Sequence, residues 1–209
     1  MGLIRHIFQR LAVVAVTPIP PSLFGFHDGI KDYPYNPKKA RELFGQAGLR
    51  SGVGARLYFV EKDLGIQKIA GIITANAKQF GVNLIRVPLP FNELMARVDK
   101  GEHDMVFMGW SGLPDPDHFL YPILTMERGN KNRAFYDNPR LTDILIRARS
   151  TLSKPERIKL YREAQEIIHA DVPWIPLHHG RTMVAYRNSI RRLHVDPRDY
   201  MIFRQVIKE

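Results

Sequence analysis

The sequence predicts an α/β fold, and three observations support it. Residues 56–110 alternate short β-prone runs with runs of helical periodicity, in the order strand, helix, strand, helix, strand. The last run, 105–110, is apolar and uncharged, which is typical of a strand buried on both faces. Capping residues and glycines mark the predicted helix ends. This alternation favours a sheet flanked by helices.

The first helix is predicted to begin at Asn36 and Pro37, an N-cap residue followed by the proline that suits a first helical position. It is predicted to end at Gly48, as a C-cap glycine. The proline-rich segment 18–34 before it has no periodicity and predicts an irregular connector.

The central elements follow in order. Strands are predicted at 56–60, 82–89 and 105–110, and helices at 66–80 and 91–98. A rigid loop with two prolines and two aspartates follows at 111–117. Helices are then expected at 138–151 and 154–170, strands at 173–179 and 183–186, and one strand near 201–206 in a basic tail.

Composition narrows the class of protein. The 209 residues are 44% hydrophobic and 25% charged, which is ordinary for a globular protein. The absence of cysteine excludes disulfides, thiolate metal sites and a cysteine nucleophile. The net charge of +10 leaves open a basic protein that binds nucleic acid or a membrane surface, although the basic residues are dispersed.

The N-terminus does not predict an export signal. Arg5 and Arg10 precede an apolar run at 11–16 that is shorter than a signal-peptide core, and no small-residue cleavage site follows. No apolar stretch approaches the length of a membrane span. We therefore expect neither a signal peptide nor an anchor in this sequence.

Two polar clusters have both a functional and a structural interpretation. Asp115, Asp117 and His118 could bind a cation. A structural interpretation is favoured, in which Asp115 caps a turn and Asp117 caps a helix that begins at His118. His178 and His179 could ligate a metal, but neighbours on a strand point to opposite faces, so a structural role is favoured. No metal or cofactor is expected.

The segment 109–112 carries the main candidate for ligand binding. Ser111 does not lie in a nucleophile elbow, and no base can be assigned to it, so a hydrolase is disfavoured. Trp110 stands where a predicted strand meets the loop, and ligands bind outside the carboxyl ends of strands in open α/β sheets. Trp110 could form an apolar wall of a ligand site or pack in the core, and the sequence favours both roles equally.

Three groups of segments, in this order and spacing, resemble the C-terminal half of the dipeptide, oligopeptide and nickel type of extracytoplasmic solute-binding proteins, family 5. The first group reads PIPPS at 18–22, YNPKKAREL at 35–43 and AGL at 47–49. The second reads GEHD at 101–104, MGW at 108–110 and DPD at 115–117. The third reads LYREAQ at 160–165 and DVPWIPL at 171–177.

The resemblance implies a lobe like those of type II periplasmic binding proteins, with a mixed sheet flanked by helices. It implies an N-terminal segment and connector at 1–34, a ligand-binding lobe at 35–187, and a segment at 188–209 that returns to the first lobe in full-length relatives. Such relatives are more than twice this length, so the chain is expected to supply one wall of the cleft.

The resemblance also implies a function and site residues. The chain is expected to be a non-catalytic, monomeric component that delivers a peptide-like solute to an ABC permease outside the cytoplasm. Its expected ligand contacts are Trp110, Ser111, Gly112, Lys68 and Gln67. The alternatives are a truncated remnant without function and one lobe that needs a partner chain.

Two positions depart from the dipeptide-binding pattern. Leu113 stands where such relatives have an aspartate for the peptide amino group, and Gln67 and Lys68 stand where they have an arginine for the carboxylate. Lysine lacks the bidentate fork of arginine. We therefore expect a ligand other than a simple zwitterionic dipeptide.

Overall fold

A computed structural model describes residues 7–8, 11–49, 52–126, 131–196 and 200–209. This part of the chain divides into two compact units, one formed by residues 7–8 and 31–109 and the other by residues 11–30 and 110–209. In chain order the helices are α1 (Pro37–Gln46), α2 (Leu64–Lys78), α3 (Phe91–Asp99), α4 (Asp117–Leu124), α5 (Pro139–Ser150) and α6 (Lys154–Asp171). The strands are β1 (Ala12–Val14), β2 (Val53–Val60), β3 (Val82–Leu89), β4 (Met105–Val106), β5 (His178–Gly180), β6 (Ile190–Arg191), β7 (His194–Val195), β8 (Met201–Ile202) and β9 (Ile207–Lys208).

The first unit is built on a parallel sheet in the order β3-β2-β4. The second half of its central strand β2 is buried on both faces, at Leu57, Tyr58 and Phe59, as helices on both sides of a parallel sheet require. Leu57 and Phe59 pack with Ala70 of α2 on one face. Tyr58 packs with Leu94 and other residues of α3 on the opposite face.

Capping residues fix the helix starts in this unit. The Asn36 side chain accepts a hydrogen bond from the Lys39 amide at 3.0 Å, so the predicted start of α1 is confirmed. Asp63 does the same for the Ile66 amide at 2.9 Å. The helix α2 therefore begins at Leu64, two positions before the predicted start. The backbone of Gly48 has a φ of +74°, which suits the predicted helix terminus.

The expectation of a fully buried strand at 105–110 is wrong. Only Met105 and Val106 form β4, and the residues at 105–108 are half-buried. One further hydrogen bond, from the Phe107 amide to the Tyr58 carbonyl at 2.8 Å, continues the pairing with β2. The chain then leaves the sheet: Gly109 is exposed, and Trp110 packs in the core of the second unit.

The second unit has a helical core. Apolar residues of α4, α5 and α6 are buried together, at helical spacing within each helix. The connector adds Ile19, which is fully buried in the same core. The principal members are Leu120, Leu124, Leu141, Leu145, Ala148, Leu160, Tyr161, Ala164 and Ile168.

The strands of the second unit differ from the prediction. The apolar run 11–16 contains β1, which pairs antiparallel with β5; Arg5 and Arg10 lie outside the described residues. The predicted strand 173–179 forms only from His178, because Pro173 and Pro176 have no amide to donate. Residues 183–186 form no strand.

The tail forms two short antiparallel ribbons, β6 with β9 and β7 with β8. The predicted strand near 201–206 is thus limited to β8. Within the described ranges, no helix is both long and apolar enough to span a bilayer. The division at 1–34, 35–187 and 188–209 stays a prediction.

Candidate functional site

The carboxyl ends of the parallel strands lie at one edge of the first unit's sheet. The turn 61–63 joins β2 to α2, and Pro90 joins β3 directly to α3. The first turns of both helices therefore begin at this edge. Ligands of open α/β sheets bind at such an edge.

The two site residues predicted in α2 have different surroundings. The Gln67 side-chain amide donates to the Glu61 carbonyl oxygen, so it stabilises the turn that follows β2. Lys68 is exposed to solvent. Of the two, Lys68 is therefore the side chain available to pair with an anionic group of a ligand.

Two apolar residues at this edge were not predicted as site residues. Leu64 is 71% exposed at the start of α2, and Phe91 is 60% exposed at the start of α3. Each directly follows the residue that caps its helix, Asp63 or Pro90. An apolar residue just after a cap and outside the buried stripe of its helix is the sequence signal that could have identified both.

The three other predicted residues lie in the second unit, at the start of the loop before α4. The indole nitrogen of Trp110 donates to the His118 carbonyl oxygen at 2.6 Å, and the ring packs half-buried against the helical core. Ser111 is exposed. Trp110 thus has a structural role in this loop, while its ring keeps some exposed surface.

Gly112 lies against the first turn of α4. A Cβ atom at this position would be 2.9 Å from the Cβ of His118 and 3.2 Å from its carbonyl oxygen. Real Cβ contacts of 2.9 Å are essentially never seen. Only glycine therefore fits the loop as it is folded.

Asp115 has the structural role that the sequence favoured. Its carboxylate accepts from the Asp117 amide at 2.9 Å, which caps the turn. Arg157 donates to both of its oxygens, at 2.9 and 3.0 Å. The carboxylate is thus occupied by contacts within the protein.

Asp117 is not the predicted cap of a helix that starts at His118. It is the first residue of α4, and Pro116 occupies the cap position without a side-chain hydrogen bond. Its carboxylate lies 3.5 Å from the guanidinium of Arg149. Burial raises the pKa of Asp117 above its usual value, against the lowering effect of Arg149.

His178 and His179 lie on β5, opposite Val14 and Val13 of β1. A ring nitrogen of His179 is 3.2 Å from the Thr17 carbonyl oxygen. Burial lowers the pKa of both histidines. Among the residues that the structure describes, no group of three or more His, Cys, Asp or Glu could hold a metal ion.

The predicted contacts therefore fall into two sets. Gln67 and Lys68 belong to the first unit, and Trp110, Ser111 and Gly112 belong to the second. Neither set contains a nucleophile with a base to activate it. The second set combines an aromatic ring with a hydroxyl group, and the first set lies at the sheet edge that also carries the exposed Leu64 and Phe91, so both regions offer apolar surface beside a few polar groups.

Comparison with known proteins identifies related sequences. The haem-binding protein A of Haemophilus influenzae is 34% identical over 192 residues, which are 86% of this chain and 34% of that protein. The dipeptide-binding protein of Escherichia coli is 30% identical over 204 residues, which are 94% of this chain and 38% of that protein. The chain thus spans little more than a third of the length of these relatives.

A solved structure shares the fold. An ABC-transporter-associated periplasmic binding protein of Helicobacter pylori, in complex with the peptide STSA, superposes with a TM-score of 0.80 at 33% identity. The match covers 86% of this chain and 36% of that one. It confirms the predicted fold class, an α/β lobe like those of type II periplasmic binding proteins.

Family membership is shown by a family model that matches more than half of the chain. The model of the middle region of the bacterial extracellular solute-binding proteins, family 5, matches residues 2–131. That is well over half of the 209 residues. The chain belongs to the bacterial extracellular solute-binding proteins of family 5.

Proposed function

We propose that this chain supplies part of the ligand-binding surface of a solute-binding protein that passes a peptide-like solute to an ABC permease outside the cytoplasm. Family membership supports the role, and two of the relatives above are named or solved as binders of peptides. Because the chain spans only part of their length, the solute, the permease and the location are proposals for this chain.

The observation that carries the proposal is the composition of the sheet edge in the first unit. Exposed Lys68 provides a positive charge there, and Leu64 and Phe91 provide apolar surface. This combination suits a solute with both an anionic group and an apolar side chain. Binding by such groups needs no bond to be made or broken, so we propose a non-enzymatic role.

In the second unit, we propose that the loop offers the solute Trp110, Ser111 and Gly112. The exposed hydroxyl of Ser111 can donate or accept a hydrogen bond. Leu113, 50% exposed in the same loop, provides an apolar group. An apolar residue at this position offers no counter-ion for a ligand ammonium group.

We further propose that the segment 188–209 packs against the part of a family-5 protein to which this chain does not correspond. Both residues of β8 are exposed, and so is His194 of its partner strand β7. An isolated two-stranded ribbon is at best marginally stable. Exposed apolar residues are also frequent in the sequence from residue 183 onward: Met183, Tyr186, Tyr200, Met201, Ile202, Phe203 and Ile207.

The function can be tested by the thermal melting of the purified chain with a panel of peptides, amino acids and metal chelates. A ligand at 100 times its dissociation constant should stabilise the fold by about 2.7 kcal/mol. One class of peptide-like solute should therefore raise the melting temperature. A cooperative melt that no member of the panel shifts would contradict the proposal for the isolated chain.

Lys68→Ala tests the sheet edge, and Lys62→Ala, on the exposed turn before α2, is the matched control. Lys68→Ala should reduce the shift caused by an anionic solute, whereas Lys62→Ala should leave most of it.

An N-acetylated peptide tests the position of Leu113. It should bind as well as the free peptide, because leucine cannot pair with the amino group. We expect a ligand other than a simple zwitterionic dipeptide. This expectation would be refuted if the chain bound a free dipeptide, and if both Lys68→Ala and N-acetylation of the dipeptide abolished that binding.

A further inference from the structure

The loop of residues 110–117 is fixed by hydrogen bonds at both ends. At its start, the Trp110 indole donates to the His118 carbonyl oxygen at 2.6 Å. At its end, the Asp115 amide donates to the Leu113 carbonyl oxygen at 2.7 Å, and the Asp117 amide donates to the Asp115 carboxylate at 2.9 Å. Loop backbones that are held in this way present their exposed groups in one arrangement.

Arg157 of α6 connects this loop to the helical core. Its guanidinium donates to both oxygens of Asp115 at 2.9 and 3.0 Å, and to the Tyr161 hydroxyl at 3.1 Å. It also donates to the Ala148 carbonyl oxygen, near the end of α5, at 3.1 Å. One side chain therefore links the loop to two helices.

Aromatic rings complete the surroundings of Arg157. The guanidinium carbon lies 5.1 Å from the ring centre of Phe24 in the connector and 5.4 Å from that of Tyr161. Both distances are within the range of a cation–π interaction. The side chains of Arg157 and Asp115 are only 21% and 32% exposed, so solvent screens this ion pair less than a surface pair.

We propose that Arg157 is a positioning residue for the binding loop: it holds Ser111 and Leu113 in their ligand-ready arrangement without touching the ligand. This rests on the proposed function, in which the loop contacts the solute. Preorganisation of this kind increases affinity because the loop loses no further freedom on binding. Lysine could keep the charge but could not make the forked contact with Asp115, Tyr161 and Ala148 together.

The test uses a readout that needs no ligand. The chain has two tryptophans, Trp110 and Trp174, so the protein labelled with 5-fluorotryptophan should give two fluorine resonances. Trp174→Phe assigns them by the resonance that it removes. Arg157→Lys should shift or broaden the Trp110 resonance. It should also speed the hydrogen exchange of the Trp110 indole by roughly tenfold, since hydrogen bonds to charged groups are the stronger ones.

Arg140→Lys is the matched control. Arg140 also bridges α5 and α6, through a 3.0 Å ion pair with Glu163, and its side chain is 71% exposed. This change should leave the Trp110 resonance and its exchange unchanged. If Arg157→Lys does not fold, Asp115→Asn removes the same ion pair from the loop side and should give the same change at Trp110.

Two outcomes separate this inference from the proposed function. An unchanged Trp110 resonance in folded Arg157→Lys would overturn the positioning role, whatever the ligand. A changed resonance together with an unchanged affinity for a solute that binds the wild-type chain would also overturn it, because the loop would then not contribute to binding. Failure of every solute to bind would count against the proposed function, and with it against the ligand-ready role.

Discussion

The side-chain amide of Gln165 donates a 2.7 Å hydrogen bond to the carbonyl oxygen of Gly25, which lies 140 positions earlier in the chain. Gln165 is fully buried in α6, and its side-chain oxygen Oε1 accepts a hydrogen bond from the His27 backbone amide at 3.2 Å. One glutamine therefore satisfies two backbone groups of the connector. An irregular segment can pack into a core only when its polar backbone groups have such partners.

We expect Gln165→Leu to destabilise the second unit by about 1–3 kcal/mol, because it leaves buried backbone groups without partners. Chemical denaturation measures the change. Gln46→Leu, at the exposed end of α1, is the control and should stay within roughly 0.5 kcal/mol of wild type. Equal effects of the two substitutions would show that the connector contacts do not contribute to stability.

Gly112→Ala tests how closely the loop approaches α4. The added methyl group would lie 2.9 Å from the Cβ of His118. We expect a loss of about 1–3 kcal/mol, which is typical of overpacking. Gly109→Ala is the control, because a Cβ there meets nothing within 4 Å. Thermal melting that ranks the two variants equally would mean that the loop relaxes freely.

Asp104 gives the first unit a dependence on acid. Its carboxylate accepts from the backbone amide of Arg56 at 2.8 Å and from the guanidinium at 3.0 Å. The hydrogen bonds from Arg56 lower the pKa of Asp104 below its usual 3.8. As the pH falls, the carboxyl of Asp104 is therefore protonated in the unfolded chain before it is protonated in the folded chain. The stability that this carboxylate contributes is complete above about pH 3.8 and is lost below that pH.

We therefore expect Asp104→Asn to weaken the pH dependence of unfolding below about pH 4. Denaturation midpoints measured from pH 6 to pH 2 provide the test. The effect should be small and should decrease with added salt, because both partners are exposed. An identical acid dependence in wild type and variant would exclude a role for this pair.

The sequence predicted the helices well, because their ends carry local signals. Asn36 and Asn138 cap α1 and α5 with side-chain hydrogen bonds, and a proline follows each of them. Strands near the chain ends were predicted poorly. The partner of β1 is β5, more than 160 residues away, and nothing local in the run 11–16 specifies that pairing.

The candidate site was predictable only in part, for a similar reason. Resemblance to the family indicated Lys68, which stands where dipeptide-binding relatives have an arginine. Trp110 was indicated by its motif and by its place at the end of a predicted strand. The hydrogen bond of Trp110 to the His118 carbonyl depends on how the loop folds back, and no residue type signals it. Leu64 and Phe91 were missed because an apolar residue near a cap is more often assigned to the core.

Tyr136 gives the second unit a dependence on alkali. Its hydroxyl donates to the Asp171 carboxylate at 2.5 Å, and Asn138 donates to the same oxygen at 2.9 Å. Burial, and then the bond to Asp171, raise the pKa of Tyr136 from 10.0 to about 12. The unfolded chain therefore loses this proton first as the pH rises, so stability falls between these two values.

We expect Tyr136→Phe to remove the component of the phenolate absorbance titration that is centred near pH 12, and to make the alkaline loss of stability less steep above pH 10. Asp171→Asn should move that component to lower pH, because it removes the negative charge that opposes ionisation. A wild-type minus Tyr136→Phe difference titration centred near pH 10 would show that neither burial nor Asp171 holds the proton.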